Sequence, residues 1–163
     1  MATIRQLLQG TQKVHPKAIE RAPDGKNSPF TVFEVQKFKG VNSVVVRTEQ
    51  KMSGRWPKGN RPTSRRGIYK QTVRFVLSGD RSDVNKNKPK ASKDRVLLNC
   101  GCDNYYYMWW WGNKKVKAQE GGSYKPYIRK TKDRPEVNPK NIPGMCKHLV
   151  YVVQELKRRR LIQ

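Results

Sequence analysis

The residues with the clearest chemistry in this sequence are its three cysteines and one of its two histidines. They form two short groups, Cys-Gly-Cys at positions 100–102 and Cys-Lys-His at positions 146–148. Three thiolates and one imidazole form the ligand set of closed, tetrahedral zinc sites, which are structural rather than catalytic. The sequence therefore predicts one structural Zn²⁺ site. Its predicted ligands are Cys100, Cys102, Cys146 and His148.

Two other interpretations of the cysteines stay open at this point. Free cysteine is among the most frequently buried residue types, so the three thiols can instead be core residues beside an incidental histidine. A disulfide fits less well, because the number of cysteines is odd and only one residue separates Cys100 from Cys102. The other histidine, His15, has no cysteine near it in the sequence and is interpreted as an ordinary surface residue.

The elements that must position these ligands can be predicted from the flanking sequence. The run Arg95–Cys100 predicts a short strand that leads into a glycine-containing turn, and residues 105–111 predict the returning strand. A helix is predicted after the Pro-Gly pair at 143–144, because apolar residues then recur at the spacing i, i+3, i+4 and i+7. These apolar residues are Leu149, Val152, Val153 and Leu156.

The order Cys-x-Cys followed by Cys-x-His on a predicted ββα frame resembles the SWIM-type zinc finger. Residue by residue, the resemblance carries over only the four predicted ligands. Residues 103–145 form a longer spacer than is usual in that family, which implies a looped-out insertion. The block at 138–149, together with Cys-Gly-Cys-Asp-Asn-Tyr at 100–105, looks like small SWIM-like proteins of tailed bacteriophages. That resemblance implies a virion component, such as a capsid, neck or head-completion protein.

Charge is the strongest compositional signal. The chain of 163 residues carries 36 Lys and Arg against 12 Asp and Glu, a formal net charge of +24. Such a field favours a polyanionic partner, and we expect nucleic acid, DNA rather than RNA. A membrane is not expected, because the sequence contains no apolar run near the ~20 residues that a span requires and no basic amphipathic helix stands out.

The predicted fold class is α+β, with antiparallel β-hairpins and one C-terminal helix in a zinc-clamped ββα unit. Residues 1–27 are predicted to be an N-terminal arm, in which Ile4, Leu7 and Leu8 form a turn or short helix that docks on a neighbour. Residues 28–94 form an antiparallel β region, with a hairpin at 30–38 and 43–49, a strand at 68–77 and basic loops. Residues 95–163 form the zinc-binding region, with a basic insertion at 113–143.

Two further sets of residues are predicted to contact partners. The aromatic run at 105–111 would place large rings on both faces of a strand, so one face is expected to pack on the predicted helix and the other to meet either the inserted loop or another subunit. The predicted partner interface consists of Trp109, Trp110 and Trp111. The predicted nucleic-acid contacts are Arg55, Lys58, Arg61, Arg65, Arg66, Lys114, Lys115, Lys117, Arg158 and Arg159.

The sequence contains no phosphate-binding glycine loop and no dinucleotide fingerprint. Its acidic residues are scattered, and a four-ligand zinc site leaves no thiol as a nucleophile. We therefore expect no enzymatic activity and no small-molecule substrate. The predicted function is a structural component of a large nucleoprotein assembly. The resemblance to phage proteins implies that this assembly is a bacteriophage virion, with the protein made in the host cytoplasm and contacting DNA or coat subunits. The alternatives are a ribosomal protein that binds rRNA and a free DNA-binding zinc-finger module.

Overall fold

A computed structural model describes residues 1–20, 30–51, 68–122, 128 and 136–163, which form a mixed α+β fold. One antiparallel sheet has the strand order β1-β2-β3-β4. Its strands are β1 (Phe30–Phe38), β2 (Ser43–Lys51), β3 (Ile68–Val76) and β4 (Arg95–Cys100). The helices are α1 (Ile4–Val14), α2 (Lys17–Glu20), α3 (Trp110–Lys115) and α4 (Lys147–Arg158), and a π-helical turn (Tyr105–Trp109) leads directly into α3.

The predicted hairpin and the two following strands are confirmed. Strands β1 and β2 pair in antiparallel register around a tight connection at Lys39–Val41, with Asn42 in the left-handed region at φ 46°. β3 pairs with β2, and β4 pairs with β3. The whole segment between β2 and β3, residues 52–67, lies outside the described residues.

Alternation of burial along β3 and β4 gives this part of the sheet a face that packs into the core. On this face, three almost completely buried residues lie side by side in adjacent strands, namely Val46, Val73 and Leu98. Two residues further along β3, Phe75 pairs with Val96, and both are also buried. β4 ends on this face with Cys100, whose partner on β3 is Gln71. The pleat of β4 therefore carries a ligand residue into the core.

The predicted C-terminal helix is also confirmed. α4 buries Leu149, Val152, Val153 and Leu156, as its apolar spacing predicts, and belongs to the same hydrophobic core as the sheet. Its amphipathic face explains why it docks there, because a helix of this length gains most of its stability from packing. Its N-terminal end brings the second ligand group to the sheet.

Helix α1 packs on the core of its own chain. A capping box begins the helix, because Thr3 Oγ1 accepts from the backbone N–H of Gln6 and the Gln6 side chain accepts from the backbone N–H of Thr3. Ile4 and Leu7 are fully buried in the common core. The region predicted as an arm thus begins with a core helix.

The returning strand predicted for residues 105–111 is wrong, because this run forms the π-helical turn and the start of α3. The carbonyl of Cys102 accepts the backbone N–H groups of both Tyr105 and Tyr106, which starts the helical path. The free edge of β4 is taken instead by two other segments. Val96 donates its N–H to the carbonyl of Ala2, and Leu98 pairs with residues 118–120. Helical spacing then lets Tyr105 and Trp109 enter the core together.

In the part of the chain that the structure describes, no helix is both long enough and apolar enough to cross a membrane.

The contact between α1 and the segment before the second ligand group generates a stability prediction. A Cβ at Gly10 would lie 1.9 Å from the carbonyl oxygen of Pro143, so Gly10→Ala must separate the two backbones. We expect a loss of unfolding free energy of about 1–3 kcal/mol, typical of overpacking, although alanine would favour an isolated helix. Chemical denaturation of the parent protein and of Gly10→Ala measures this difference in unfolding free energy. Gly40→Ala is the control, since a Cβ there meets nothing within 4 Å. Equal stability of the two variants would contradict the close approach.

Candidate metal centre

The two ligand groups reach the centre on different elements. Cys100 is the last residue of β4, and Cys102 lies in the turn between β4 and the π-helical turn. Cys146 is the N-cap residue of α4, and His148 lies in the first turn of that helix. The rigid edge of a sheet and the start of a core helix therefore meet at one point.

The four predicted ligands form one compact cluster. Their donor atoms all lie within 4.8 Å of one another, and all four residues are buried. Cys100 Sγ lies 3.9 Å from His148 Nδ1. Tetrahedral sites with metal–sulfur bonds of about 2.3 Å and metal–nitrogen bonds of about 2.0 Å have donor–donor edges somewhat under 4 Å. The cluster has the donor set and the compactness to hold a metal ion after a small contraction.

Electrostatics favour a cation at this position. Burial raises the pKa of the Cys100 thiol and of the Cys146 thiol well above their ordinary value. Hydrogen bonds from these two residues hold the pKa of Cys102 well below it. Burial therefore opposes the simultaneous ionisation of the three thiols. A metal ion supplies the positive charge that lets all three ionise together, which is why thiolate sites bind metal with release of protons.

Neighbouring groups orient the donors. The backbone N–H of Tyr105 donates to Cys102 Sγ over 3.3 Å, and the Gln71 amide donates to Cys100 Sγ over 3.9 Å. The Tyr69 ring packs on the His148 imidazole with centroids 4.8 Å apart, and burial raises the pKa of Tyr69 to about 12. Gln50 Nε2 donates to the carbonyl of His148. These contacts fix the donor side chains in the way that outer-shell partners of metal sites do.

Two residues that the sequence did not indicate hold the second ligand group in place. The Asn113 side chain is fully buried and bonds both backbone groups of Gly144, at 2.8 Å to the carbonyl and 2.9 Å to the N–H. Thr11 Oγ1 accepts the N–H of Met145 over 2.7 Å. Thr11 lies 134 residues from Met145 along the chain, so no local pattern could reveal this contact.

The predicted interface of three tryptophans is corrected. Trp109 and Trp110 are 0% and 1% exposed, because the helical path turns them into the chain's own core. Trp109 also packs against Gly144, where an added Cβ would lie 2.4 Å from the indole ring. Trp111 is half-buried and stacks on Trp110, so for this residue alone the partner contact stays a prediction.

The predicted nucleic-acid contacts are distributed over several parts of the molecule. Lys114, Lys115 and Lys117 are exposed at the end of α3, and the ammonium groups of the first two lie over the Trp111 ring. Five other predicted contacts lie outside the described residues, namely Arg55, Lys58, Arg61, Arg65 and Arg66.

Arg158 and Arg159 at the end of α4 are exposed but already paired. Both guanidinium groups bond Glu155, whose side chain is 1% exposed, and Arg159 also lies over the Phe33 ring. Hydrogen bonding from Arg158, together with Arg159, lowers the pKa of Glu155 to about 2. This carboxylate therefore stays charged at neutral pH, and part of the positive charge of the two arginines is neutralised.

The geometry of the cluster predicts that metal and fold are lost together. In Cys146→Ser we expect loss of bound metal and a fall in unfolding free energy of more than about 3 kcal/mol, because metal-binding free energy adds to folding free energy. Denaturation with and without a chelator, alongside metal analysis, measures both effects. His15→Ala is the control, since His15 is the histidine outside the cluster. A chelator response in Cys146→Ser equal to that of the parent protein would contradict the assignment.

The contacts of Asn113 lead to a separate prediction. Asn113→Ala leaves both polar groups of Gly144 without this partner in a buried position, and we expect a loss of about 2–4 kcal/mol in unfolding free energy. Metal affinity should also fall roughly 10–100-fold, as for other outer-shell partners. Asn85→Ala, at an exposed asparagine, should change stability by less than about 0.5 kcal/mol. Competition with a metal-sensitive dye and thermal melting test the pair, and matching values for both variants would refute the role of Asn113.

The assignment of a metal centre rests on the geometry of the four donor residues. Comparison with protein-family models, with curated proteins and with solved structures gives no match to this chain. The conclusion drawn from the described residues is therefore chemical: a buried cluster of three cysteines and one histidine, held by two ordered elements, can bind a metal ion.

Proposed function

We propose that this chain is a non-enzymatic, zinc-stabilised structural component of a large nucleoprotein assembly. The observation that carries the proposal is the buried position of all four donors of the metal cluster. A catalytic metal keeps a coordination position open to water or substrate, whereas a site with four protein ligands is closed. The cluster is therefore best suited to holding the fold together.

The ligand set supports zinc as the metal. Three thiolates and an imidazole are soft or borderline donors, which suit Zn²⁺ in a tetrahedral site and do not suit Mg²⁺ or Ca²⁺. The Cys-x-Cys and Cys-x-His order also supports kinship with SWIM-type fingers, although the second strand of their ββα frame is replaced here by a helix. We propose that kinship from the ligand order alone.

The charge of the chain supports a polyanionic partner. A formal net charge of +24 repels itself in a compact fold, and a nucleic acid relieves that repulsion by neutralising the cations. The described residues place Lys114, Lys115 and Lys117 together on the surface beside α3. We propose that these lysines contact phosphates, with DNA as the preferred nucleic acid.

The setting that we propose is a bacteriophage virion, where such a protein would contact packaged DNA and other subunits. The resemblance of the C-terminal block to small SWIM-like phage proteins supports this setting. Sedimentation with assembled particles tests it directly. Enrichment in virions would support the proposal, while enrichment with ribosomes would favour an rRNA-binding protein instead.

DNA binding gives a quantitative test of the proposed contacts. The metal-loaded protein should bind duplex DNA with an affinity that falls steeply as salt rises, because each neutralised phosphate adds about 0.9 to the slope of log K against log salt. The triple variant Lys114→Glu, Lys115→Glu, Lys117→Glu should lose affinity and reduce that slope by about 2–3. Fluorescence anisotropy across a salt series measures both quantities.

A charge-matched control separates a local contact from a general field. Arg5→Glu, Lys13→Glu, Lys17→Glu changes the net charge by the same amount at exposed positions of the N-terminal helices. It should leave the slope close to that of the parent protein. Equal losses of DNA affinity in both triple variants would contradict the assignment of the contact to the end of α3. Absence of DNA binding at low salt would refute the nucleic-acid partner.

A further inference from the structure

Strand β1 lies at one edge of the sheet. The opposite edge, on β4, is covered by Ala2 and by residues 118–120, whereas among the described residues only β2 pairs with β1. The run from Glu34 to Phe38 is exposed, including the apolar residues Val35 at 38% and Phe38 at 39%. A long, partly apolar edge presents backbone N–H and C=O groups that can pair with another strand.

An apolar groove opens beside this edge on the core face of the sheet. Its walls include Val35, Val44 and Phe75 from the sheet, and Leu156 and Leu161 from the C-terminal region. Its volume is about 90 Å³. An apolar cavity of roughly 150 Å³ holds a benzene-sized molecule, so this groove suits one branched aliphatic side chain. A residue opposite Val35 on an added strand would point to this same face.

The groove continues into a recess rich in cations. The two share Asn87 and Lys88, and the recess adds Arg81, Lys86 and Lys90, with Asp80 as an acidic lining residue. Arg81 is paired with Asp94 and Lys86 with Asp83, so the attraction for an acidic partner rests on Lys88 and Lys90. The connection that carries the recess is held in shape, because Asp94 accepts hydrogen bonds from the Arg81 guanidinium and from the backbone N–H of Lys90. Lys37 lines the groove from the strand side.

These three features fit one kind of occupant. The strand edge offers backbone pairing, the groove accepts an aliphatic side chain, and the recess attracts carboxylates. A second copy of this chain is disfavoured, because the net charge of +24 and the lysines at 37 and 39 would oppose like charges. A nucleic acid would find cations here, but a phosphodiester backbone matches neither the apolar groove nor the row of amide groups.

We propose that β1 and its neighbouring groove form a docking site for an extended, acidic peptide segment of another protein, which adds to the sheet as a fifth strand. An aliphatic side chain of that segment enters the groove beside Val35, and its carboxylates face Lys37 and the recess around Lys88. None of the four metal-cluster residues lines this site. The proposal extends the proposed function and rests on it only for the expectation that the partner is a subunit of the same assembly.

Peptide binding to the metal-loaded full chain tests the site. The probe is a fluorescent nine-residue peptide of alternating glutamate and valine, measured by anisotropy near physiological salt. Val35→Glu places a charge at the mouth of the groove, and Lys88→Glu reverses the charge that groove and recess share. Each should weaken binding by at least about tenfold, while Lys13→Glu on α1 should change it less than about twofold. The same peptide with alternate backbone nitrogens methylated should also lose at least about tenfold, because strand addition needs its N–H groups.

The competing occupants have distinct outcomes. A peptide of alternating lysine and valine should not bind, and equal binding of both peptides would refute the role of charge. Displacement of the acidic peptide by oligothymidylate, with loss of oligothymidylate binding in Val35→Glu, would reassign the site to nucleic acid. A dimer in ultracentrifugation that Val35→Glu dissociates would reassign it to a second copy. Failure of the acidic peptide to bind overturns the proposal.

The two proposals fail separately. If the Lys114, Lys115 and Lys117 triple variant loses DNA but keeps the peptide, both stand. If the parent protein binds the peptide but no DNA, the docking site stands and the nucleic-acid function falls. If the parent protein binds DNA but not the peptide, the nucleic-acid function stands and the docking site falls.

Discussion

The structure depends on bringing three buried thiols and one imidazole to within 4.8 Å of one another. Burial raises the pKa of Cys100 and Cys146, so a positive ion is needed for all three thiols to ionise together. With a metal ion, the same four groups join β4 to the start of α4, two elements far apart in sequence. Such a cross-link would add metal-binding free energy to the folding of a chain that is 35% hydrophobic and 29% charged.

Core residues around the metal cluster hold in place the segment that leads into Cys146 and His148. Asn113 and Thr11 bond the backbone of residues 144–145, and the close approach of Gly10 to Pro143 lets α1 press on the same segment. Trp109 fills the space beside Gly144. Helix α1, the π-helical turn with α3, and residues 143–145 therefore stabilise one another. The proposed partner sites lie away from this core, at the edge strand β1 and at the exposed lysines beside α3.

The parts of the fold that follow a local pattern could be predicted from the sequence. The hairpin of β1 and β2 follows from alternation around a glycine turn, and α4 follows from its apolar spacing. The four cluster residues were predicted from ligand type and spacing alone. The run at 105–111 was mispredicted, because aromatic residues favour strands locally while the edge of β4 was already occupied by residues 118–120. Thr11 and Asn113 could not be predicted, since their role depends on contacts between segments that are distant in sequence.

We infer that one metal ion holds this fold together. Native mass spectrometry of the purified full chain, with elemental analysis of the same sample, measures the number and identity of the bound ions. We expect one zinc ion per chain, lost in Cys146→Ser and retained in His15→Ala. A folded, cooperatively melting protein that carries no metal, and that takes up none when zinc is added under reducing conditions, would contradict it and return the three cysteines to the role of ordinary core residues.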